Sequence, residues 1–339
     1  MRRKAIIGIL ISAVFLYLAL RKVEWSELVT VLRGAQWWWL AAYVVSAVAL
    51  MRLRAWRWML ILRPIGTIPF ARVYASTMIG FMANNVLPAR LGEIARAVSL
   101  GIKTGVSRSA ALATIIVERI YDSFTLLIFL WLVLTFFSRT STLSEYGYIR
   151  KIGWIFLVIN IALVGILVFI QLRNEIAVRW ISNLTKRLFK RAEGVAGDIT
   201  AKFARGLTIH HDLPTTAGVI SSSLLLWFLL GASNYLVFLS LGFGHLPLEA
   251  SFVVLVVVSL MISVPASPGF VGVFHWAVQI SLKLYGLNDT QAVAVAILMH
   301  AGQYIPITLV GFYHLRHEHL KLSGSGEATP DIAGSAHTV

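Results

Sequence analysis

The sequence predicts an all-α integral membrane protein: a polytopic helical bundle of about six full spans plus two oppositely oriented broken, re-entrant hairpins. Three observations predict it. Hydrophobic residues make up 58% of the 339 residues against 13% charged, with a mean hydropathy of +0.78, so apolar side chains must face lipid. They come in runs long enough to cross a hydrocarbon core of about 30 Å at 1.5 Å per helical residue. Two further apolar regions are interrupted near their middles by proline and polar residues.

The first run, Ala5 to Leu20, follows Arg2, Arg3 and Lys4. It resembles a secretory signal, but Arg21 and Lys22 follow where a small-x-small cleavage site is needed, so it is expected to be an uncleaved anchor. Trp37 to Met51 is the second span, short like the first, and the stretch RLRAWRWMLILR from Arg52 to Arg63 is expected to anchor its end at the cytoplasmic interface. Ile120 to Phe137, Ile152 to Leu172, Thr215 to Leu241 and Val293 to Tyr313 complete the spans. Between them, Ile68 to Leu100 breaks at Asn84, Asn85 and Pro88, and Ser251 to Leu282 breaks at Pro265, Ser267, Pro268 and Gly269. Irregular backbone at membrane depth is tolerated only where protein or a wet cavity satisfies its amides. A single domain is expected over residues 1–322, followed by a polar, disordered tail from Ser323 to Val339.

The formal charge is +15, from 30 Lys and Arg against 15 Asp and Glu. In a soluble chain this balance would raise nucleic-acid binding. Here, with the N-terminus inside, the basic clusters Arg52 to Arg63, Arg90 to Arg108, Arg173 to Arg205 and Arg316 to Lys321 all fall on the cytoplasmic side. This positive-inside pattern places both termini in the cytoplasm and removes the need for nucleic acid as a partner. The basic segment 173–205, with Trp180, Ile181, Leu184, Leu188 and Val195 at helical spacing, is expected to lie on anionic head groups. On this topology the first broken region is flanked by cytoplasm and the second by the outside, so the two hairpins enter from opposite faces, the arrangement of an inverted-repeat transporter with its site where the breaks meet. The alternative is two kinked helix pairs that cross fully; topology alone does not separate them.

Arg90, Glu93 and Arg96 follow the first break at spacings of three, so on a helix they stack with the carboxylate between two guanidiniums. Arginine's planar fork suits phosphate, which makes this a candidate lipid-phosphate site; a structural ion-pair ladder has the same spacing. Glu118, Arg119 and Asp122 lie within an apolar pattern from Ala110 to Phe137. A charged residue at a helix centre costs ~3 kcal/mol to insert, so this trio must face the protein interior, as the wall of a substrate path, a proton site or a packing ion pair. His275, His300, Gln303 and Tyr304 are candidates to line the same cavity from the other half, although a membrane histidine is more often a hydrogen-bonded packing residue. The absence of cysteine removes disulfides, thiolate metal sites and thiol nucleophiles. No HExxH, Walker, dinucleotide or GxSxG pattern is present, so no metal, cofactor or ATP-driven step is expected.

Three ordered strings, NNVLPARLGEIARA from Asn84 to Ala97, ERIYD from Glu118 to Asp122 and PASPGFVGVF from Pro265 to Phe274, resemble the transmembrane, flippase-like domain of lysylphosphatidylglycerol synthases. The resemblance runs from the first helix to His314. It implies a helical membrane fold with two re-entrant hairpins around a cavity for a lipid head group. The implied activity is translocation of phospholipids, or of lipids bearing an aminoacyl or sugar group, between leaflets of the cytoplasmic membrane. By match to the motifs it assigns Asn85, Pro88, Arg90, Gly92, Glu93, Arg96, Glu118, Arg119, Asp122, Pro268 and Gly269 to the site. His275 departs from the pattern, since members often carry an acidic residue near that place. The full synthases append a soluble aminoacyl-tRNA-dependent transferase domain whose pattern these residues lack, so lysyl transfer is not expected of them. The expected partners are membrane lipids with an anionic or lipid-linked head group, with a separate lipid-modifying enzyme as a further candidate. A membrane-embedded transferase using Glu93 or Asp122 as base, or a non-transporting assembly partner, are the alternatives.

Overall fold

The computed structural model describes residues 2–87, 91–136, 213–262 and 267–317, with isolated positions between 151 and 165. Pro88, Arg90 and Pro265, most of the expected span Ile152 to Leu172, the basic segment 173–205 and the tail from 323 lie outside the described residues. Among the described residues all regular structure is helical.

The chain opens with α1 (Arg2–Leu20) and a nine-residue amphipathic helix, α2 (Trp25–Arg33), which buries Leu28 and exposes Trp25 and Val29. α3 (Trp37–Leu62), α6 (Arg108–Phe136), α7 (Leu213–Ser240) and α10 (Asp289–His317) are the long elements, at 26, 29, 28 and 29 residues. Each measures about 39 Å or more at 1.5 Å per residue. The segments Trp37–Ile65, Leu213–Ser240 and Asp289–His317 are long and apolar enough to cross a membrane. α6 is as long and carries Glu118, Arg119 and Asp122 at its middle. Outward-facing Val45, Ile128, Phe228, Ile305 and Leu309 on these helices remain exposed, the pattern expected where lipid is the solvent. The protein is a helical membrane protein.

Two sequence expectations are overturned. The first broken region does not break at Asn84 and Asn85, because α4 (Phe70–Val86) stays helical through both. The second span does not end near Met51, because α3 runs unbroken through the RLRAWRWMLILR stretch to Leu62. Tyr43, Ala47, Leu50, Arg54, Arg57, Trp58 and Ile61 are all buried at helical spacing, so Arg54 and Arg57 continue the inward face. They are not interfacial anchors, because the acidic residues of α6 receive them.

Four shorter helices form two hairpins. α4 (Phe70–Val86) turns into α5 (Gly92–Thr104), and α8 (Leu248–Met261) leads through a 3-10 turn at Pro268–Phe270 into α9 (Val273–Lys283). At 17, 13, 14 and 11 residues these helices are about 16 to 26 Å long, short of a hydrocarbon core of about 30 Å. α4 and α5 run antiparallel with Ser76 and Ser99 hydroxyls 3.2 Å apart. Gly80 and Gly92 let the backbones touch: a Cβ on Gly80 would lie 2.7 Å from Arg96 Cβ, and one on Gly92 would collide with the Gly80 carbonyl. Asn84 Oδ1 accepts from Gly92 N at 2.9 Å and so satisfies the first turn of α5.

α10 serves as a ruler for both hairpins. Tyr74, near the start of α4, stacks edge-on against His314 at one end of α10, while Lys283, at the end of α9, pairs with Asp289 at the other, 2.8 Å away. The two breaks meet between them. Asn85 donates to Thr308 Oγ1 at 2.8 Å and accepts at its carbonyl from Tyr304 Oη at 3.1 Å, and the Gly269 carbonyl lies 2.8 Å from His300 Nε2. Gly269 has φ 67° and so close an approach to Tyr304 that a Cβ would lie 2.5 Å from its ring, which explains glycine there.

Candidate functional site

Three helices build a buried charge cluster, and each does so through the helical repeat. α6 presents Glu118 and Asp122 one turn apart, with Arg119 beside them; α3 presents Arg54 and Arg57; α5 presents Glu93 and Arg96. Glu118 is the hub. It is fully buried and lies 2.8 Å from Arg96, 3.0 Å from Arg57, 3.8 Å from Arg119 and 3.9 Å from Arg54. Asp122 lies 2.7 Å from Arg57 and also accepts from Trp227 Nε1 at 3.1 Å. Arg57 has a third partner in Ser223 Oγ at 3.0 Å, and the Arg96 guanidinium sits 3.7 Å from the centre of the Trp58 ring.

Two of the arginines are held differently. Arg54 comes no nearer to a carboxylate than 3.7 Å, at Asp122, and lies 5.0 Å over the Phe81 ring. Arg119 spans Asp122 at 3.3 Å and Glu93 at 3.5 Å with 41% of its side chain exposed. Within the cluster, Arg54 Nε, Arg57 Nε, Arg96 Nε and Nη2 and Arg119 Nε, together with the carboxylate oxygens Glu118 Oε2 and Asp122 Oδ2, are buried without a hydrogen-bond partner. Among the described residues, four arginines face three carboxylates, so the cluster holds one cation in excess. A buried charge without full compensation is costly, and an added anion relieves it.

Arg54, Glu93, Arg119 and Asp122 border a cavity of about 470 Å³. Asn84, Asn85, Gly269, His300, Gln303 and Tyr304 border it where the hairpin tips meet, Trp227 and Asn234 border it from α7, and Phe81, Val254, Val258 and Ile307 give it apolar walls. A lining that combines charged and amide groups with aliphatic side chains suits an amphiphile. Phe270, at its edge, has φ 57°, an unfavourable conformation for an aromatic residue, which fixes the backbone between Gly269 and Gly272.

The structure gathers most of the sequence-derived candidates around this space. Asn84, Asn85, Glu93, Arg119, Asp122, Gly269, His300 and Gln303 border it, and Glu118 and Arg96 lie directly behind. Of the ladder expected along α5, Arg90 lies outside the described residues, while Arg96 binds Glu118 and Glu93 binds Arg119 across helices. Pro268 opens the 3-10 turn, and Ser267 N donates to Ser12 Oγ at 2.8 Å, away from the cavity border. His275 also misses the cavity: its Nδ1 accepts from Gly272 N and its ring abuts His300, so it caps α9 as a packing residue. Arg54, Arg57, Trp227 and Asn234 were not singled out by the sequence. Their signal was the i, i+3 spacing of two arginines continuous with a span, and an asparagine seven residues after a tryptophan inside an apolar helix.

Comparison with known proteins gives a consistent assignment. The family described as the lysylphosphatidylglycerol synthase TM region matches residues 5–311. The UPF0104 membrane protein MJ1078 of Methanocaldococcus jannaschii is 30% identical over 243 residues, 70% of this chain and 96% of that protein. Glycosyltransferase AglD of Haloferax volcanii is 25% identical over 337 residues, 91% of this chain and 54% of its own length. No solved structure matches the chain. The charged motifs of α5 and α6 and the glycine turn before α9 all fall within the matched residues, and the chain belongs to the lysylphosphatidylglycerol synthase TM region family.

Proposed function

We propose that this protein translocates a lipid with an anionic head group between the leaflets of the cytoplasmic membrane. The observation that carries this reading is the excess cation of the buried cluster, bordering the cavity where two interrupted helical hairpins meet. In this reading α4–α5 and α8–α9 are re-entrant from opposite faces, with both termini on the cytoplasmic side, as the distribution of Lys and Arg favours. Arg54 and Arg119 engage the lipid phosphate through donors the protein leaves free, because guanidinium and phosphate form charge-assisted hydrogen bonds. Arg57 and Arg96, tied to Asp122 and Glu118, keep the site in place. The head group moves through the polar cavity while the acyl chains stay in lipid.

The test is leaflet-resolved translocation of tail-labelled anionic phospholipid in proteoliposomes. The intact protein is compared with Arg54→Gln, Arg119→Ala and Glu93→Ala variants that elute as folded monodisperse protein. Loss of translocation in the arginine variants supports the reading; equal rates in protein-containing and empty vesicles overturn it.

The match to a protein named a glycosyltransferase favours a second reading, a membrane-embedded transferase. It requires Glu93 or Asp122 to act as base, yet Asp122 Oδ1 already accepts from Arg57 and Trp227. A new lipid product formed by the purified protein would establish it, and unchanged lipid chemistry would remove it.

A further inference from the structure

We infer that Trp227 is a positioning residue that keeps Arg119 and Arg54 available to an anion: its indole N–H pins the Asp122 carboxylate in an orientation from which neither cavity-side arginine receives a hydrogen bond. The role rests on the reading of Arg54 and Arg119 as the anion site and adds what holds that site ready.

Asp122 borders the cavity and uses its two oxygens unequally. Oδ1 accepts from Arg57 Nη1 of α3 at 2.7 Å and from Trp227 Nε1 of α7 at 3.1 Å. Oδ2 lies 3.3 Å from Arg119 Nη1 and 3.7 Å from Arg54 Nη1, yet it is buried and accepts no hydrogen bond. The Cβ–Cγ torsion of an aspartate is broad and two-fold, so a carboxylate held by a single donor turns readily. Two donors that reach one oxygen from different helices stop that turn. With Arg57 alone, Oδ2 can close on Arg119 to the roughly 2.8 Å of a charge-assisted hydrogen bond. The arginine would then be engaged by the protein's own carboxylate before an anion arrives.

An indole suits this task. It donates one N–H and accepts nothing, so it fixes Asp122 without adding a cation and leaves the carboxylate charge to balance Arg57. Trp227 is itself buried, and its plane is set by an aromatic stack. Phe129 of α6 lies 6.4 Å away at 28°, and Phe129 in turn stacks on Phe252 of α8 at 5.7 Å and 11°. Phe252 is seated on Gly231, one turn after Trp227, where a Cβ would collide with its ring. The second hairpin therefore helps to fix the direction in which the indole N–H points.

Two variants separate the donor from the ring. Trp227→Phe keeps a ring in the stack and loses the N–H. Trp227→His keeps an N–H in the five-membered ring and loses the rest of the indole; it is assayed at about pH 8.5, above the ordinary imidazole range. Two readouts on the purified, folded full chain then separate this role from the anion-site reading. The rate at which phenylglyoxal modifies Arg119, followed by peptide mass spectrometry, reports how tightly that guanidinium is held with no ligand present. Binding of tail-labelled phosphatidic acid against diacylglycerol reports what the phosphate alone contributes. Trp227→Phe is expected to slow modification of Arg119 about fivefold and to weaken phosphatidic acid by a similar factor, the scale of one hydrogen bond. Diacylglycerol should be unaffected, and Trp227→His should restore both quantities. In an Asp122→Asn background Trp227→Phe should change neither, since no charge remains there to capture Arg119. If Trp227→Phe leaves the modification rate intact, or acts equally in the Asp122→Asn background, Trp227 serves packing alone and the positioning role is overturned. If the modification rate responds as expected but phosphatidic acid binds the intact protein no better than diacylglycerol, the anion-site reading fails while the positioning of Arg119 stands.

Discussion

Glu118→Gln changes one atom of the side chain and removes the charge at the centre of the cluster. The carboxylate is fully buried and serves Arg96 at 2.8 Å and Arg57 at 3.0 Å. Arg57 keeps Asp122, whereas Arg96 has Glu118 as its ion-pair partner and is 2% exposed. The substitution thus turns a cluster with one excess cation into one with two, and strands a guanidinium in a low-dielectric interior. Breaking a buried pair by removing one partner costs about 3–5 kcal/mol, because the other charge is left uncompensated. The stacking of Arg96 on Trp58 offsets only part of this, at about 1 kcal/mol. A net loss of roughly 3 kcal/mol is therefore expected in reversible unfolding of the reconstituted protein. The variant Glu118→Gln with Arg96→Met removes the stranded cation and should recover at least half of that loss, a coupling measurable in a double-mutant cycle. If Glu118→Gln unfolds within about 1 kcal/mol of the intact protein, a cost set by the stranded cation is refuted.

Arg54→Gln is expected to leave stability within about 1 kcal/mol while weakening anionic lipid binding, because its carboxylate contacts are 3.7 Å and longer and Glu118 and Asp122 keep Arg57 and Arg96, so no buried charge is stranded; unfolding and binding measured on one preparation check both halves. Gly92→Ala drives a methyl into the Gly80 carbonyl and should destabilise the α4–α5 hairpin by about 1–3 kcal/mol, seen as faster hydrogen exchange in α5 than in α7. Tyr304→Phe removes the hydroxyl bond to the Asn85 carbonyl that joins the hairpin tip to α10, at a cost of about 1 kcal/mol, and should increase protease access at residues 85–91.

The sequence made the long elements legible because apolar length is a local property. Val293 to Tyr313 falls within α10 and Thr215 to Leu241 within α7 but for its last residue, and Pro268 and Gly269 fall in the turn between α8 and α9, whereas α4 runs on through Asn84 and Asn85 to Val86. The end of α3 was not legible for a physical reason: arginine with tryptophan describes an interfacial anchor and a buried ion-pair face equally well, and only the facing carboxylates of α6 decide between them. The same limit hid the pairing pattern. Spacing within α5 allows Glu93 and Arg96 to lie side by side, but the antiparallel contact of α4 with α5 presses Arg96 toward Glu118. Asn234 was hidden differently, since its one mark in an apolar run is a seven-residue separation from Trp227, and its meaning depends on the cavity both residues border.

The division of labour among the arginines follows from where each carboxylate's lone pairs are used. Glu118 and Asp122 give their short contacts to Arg57 and Arg96, which are almost fully buried and serve structure. Arg54 and Arg119 are left with longer contacts on the cavity side, close enough to be held and loose enough to exchange a carboxylate for a phosphate. A site in which all four pairs were short would be more stable empty and would have to break one of them to bind. Keeping one cation in excess costs some stability in the empty protein, and it biases the cavity toward an anion before any contact forms. The bias should appear as a salt-dependent affinity carried by Arg54 and Arg119, with Arg57→Gln lowering stability more than affinity; the opposite ranking would mean that the structural and binding arginines have been assigned the wrong way round.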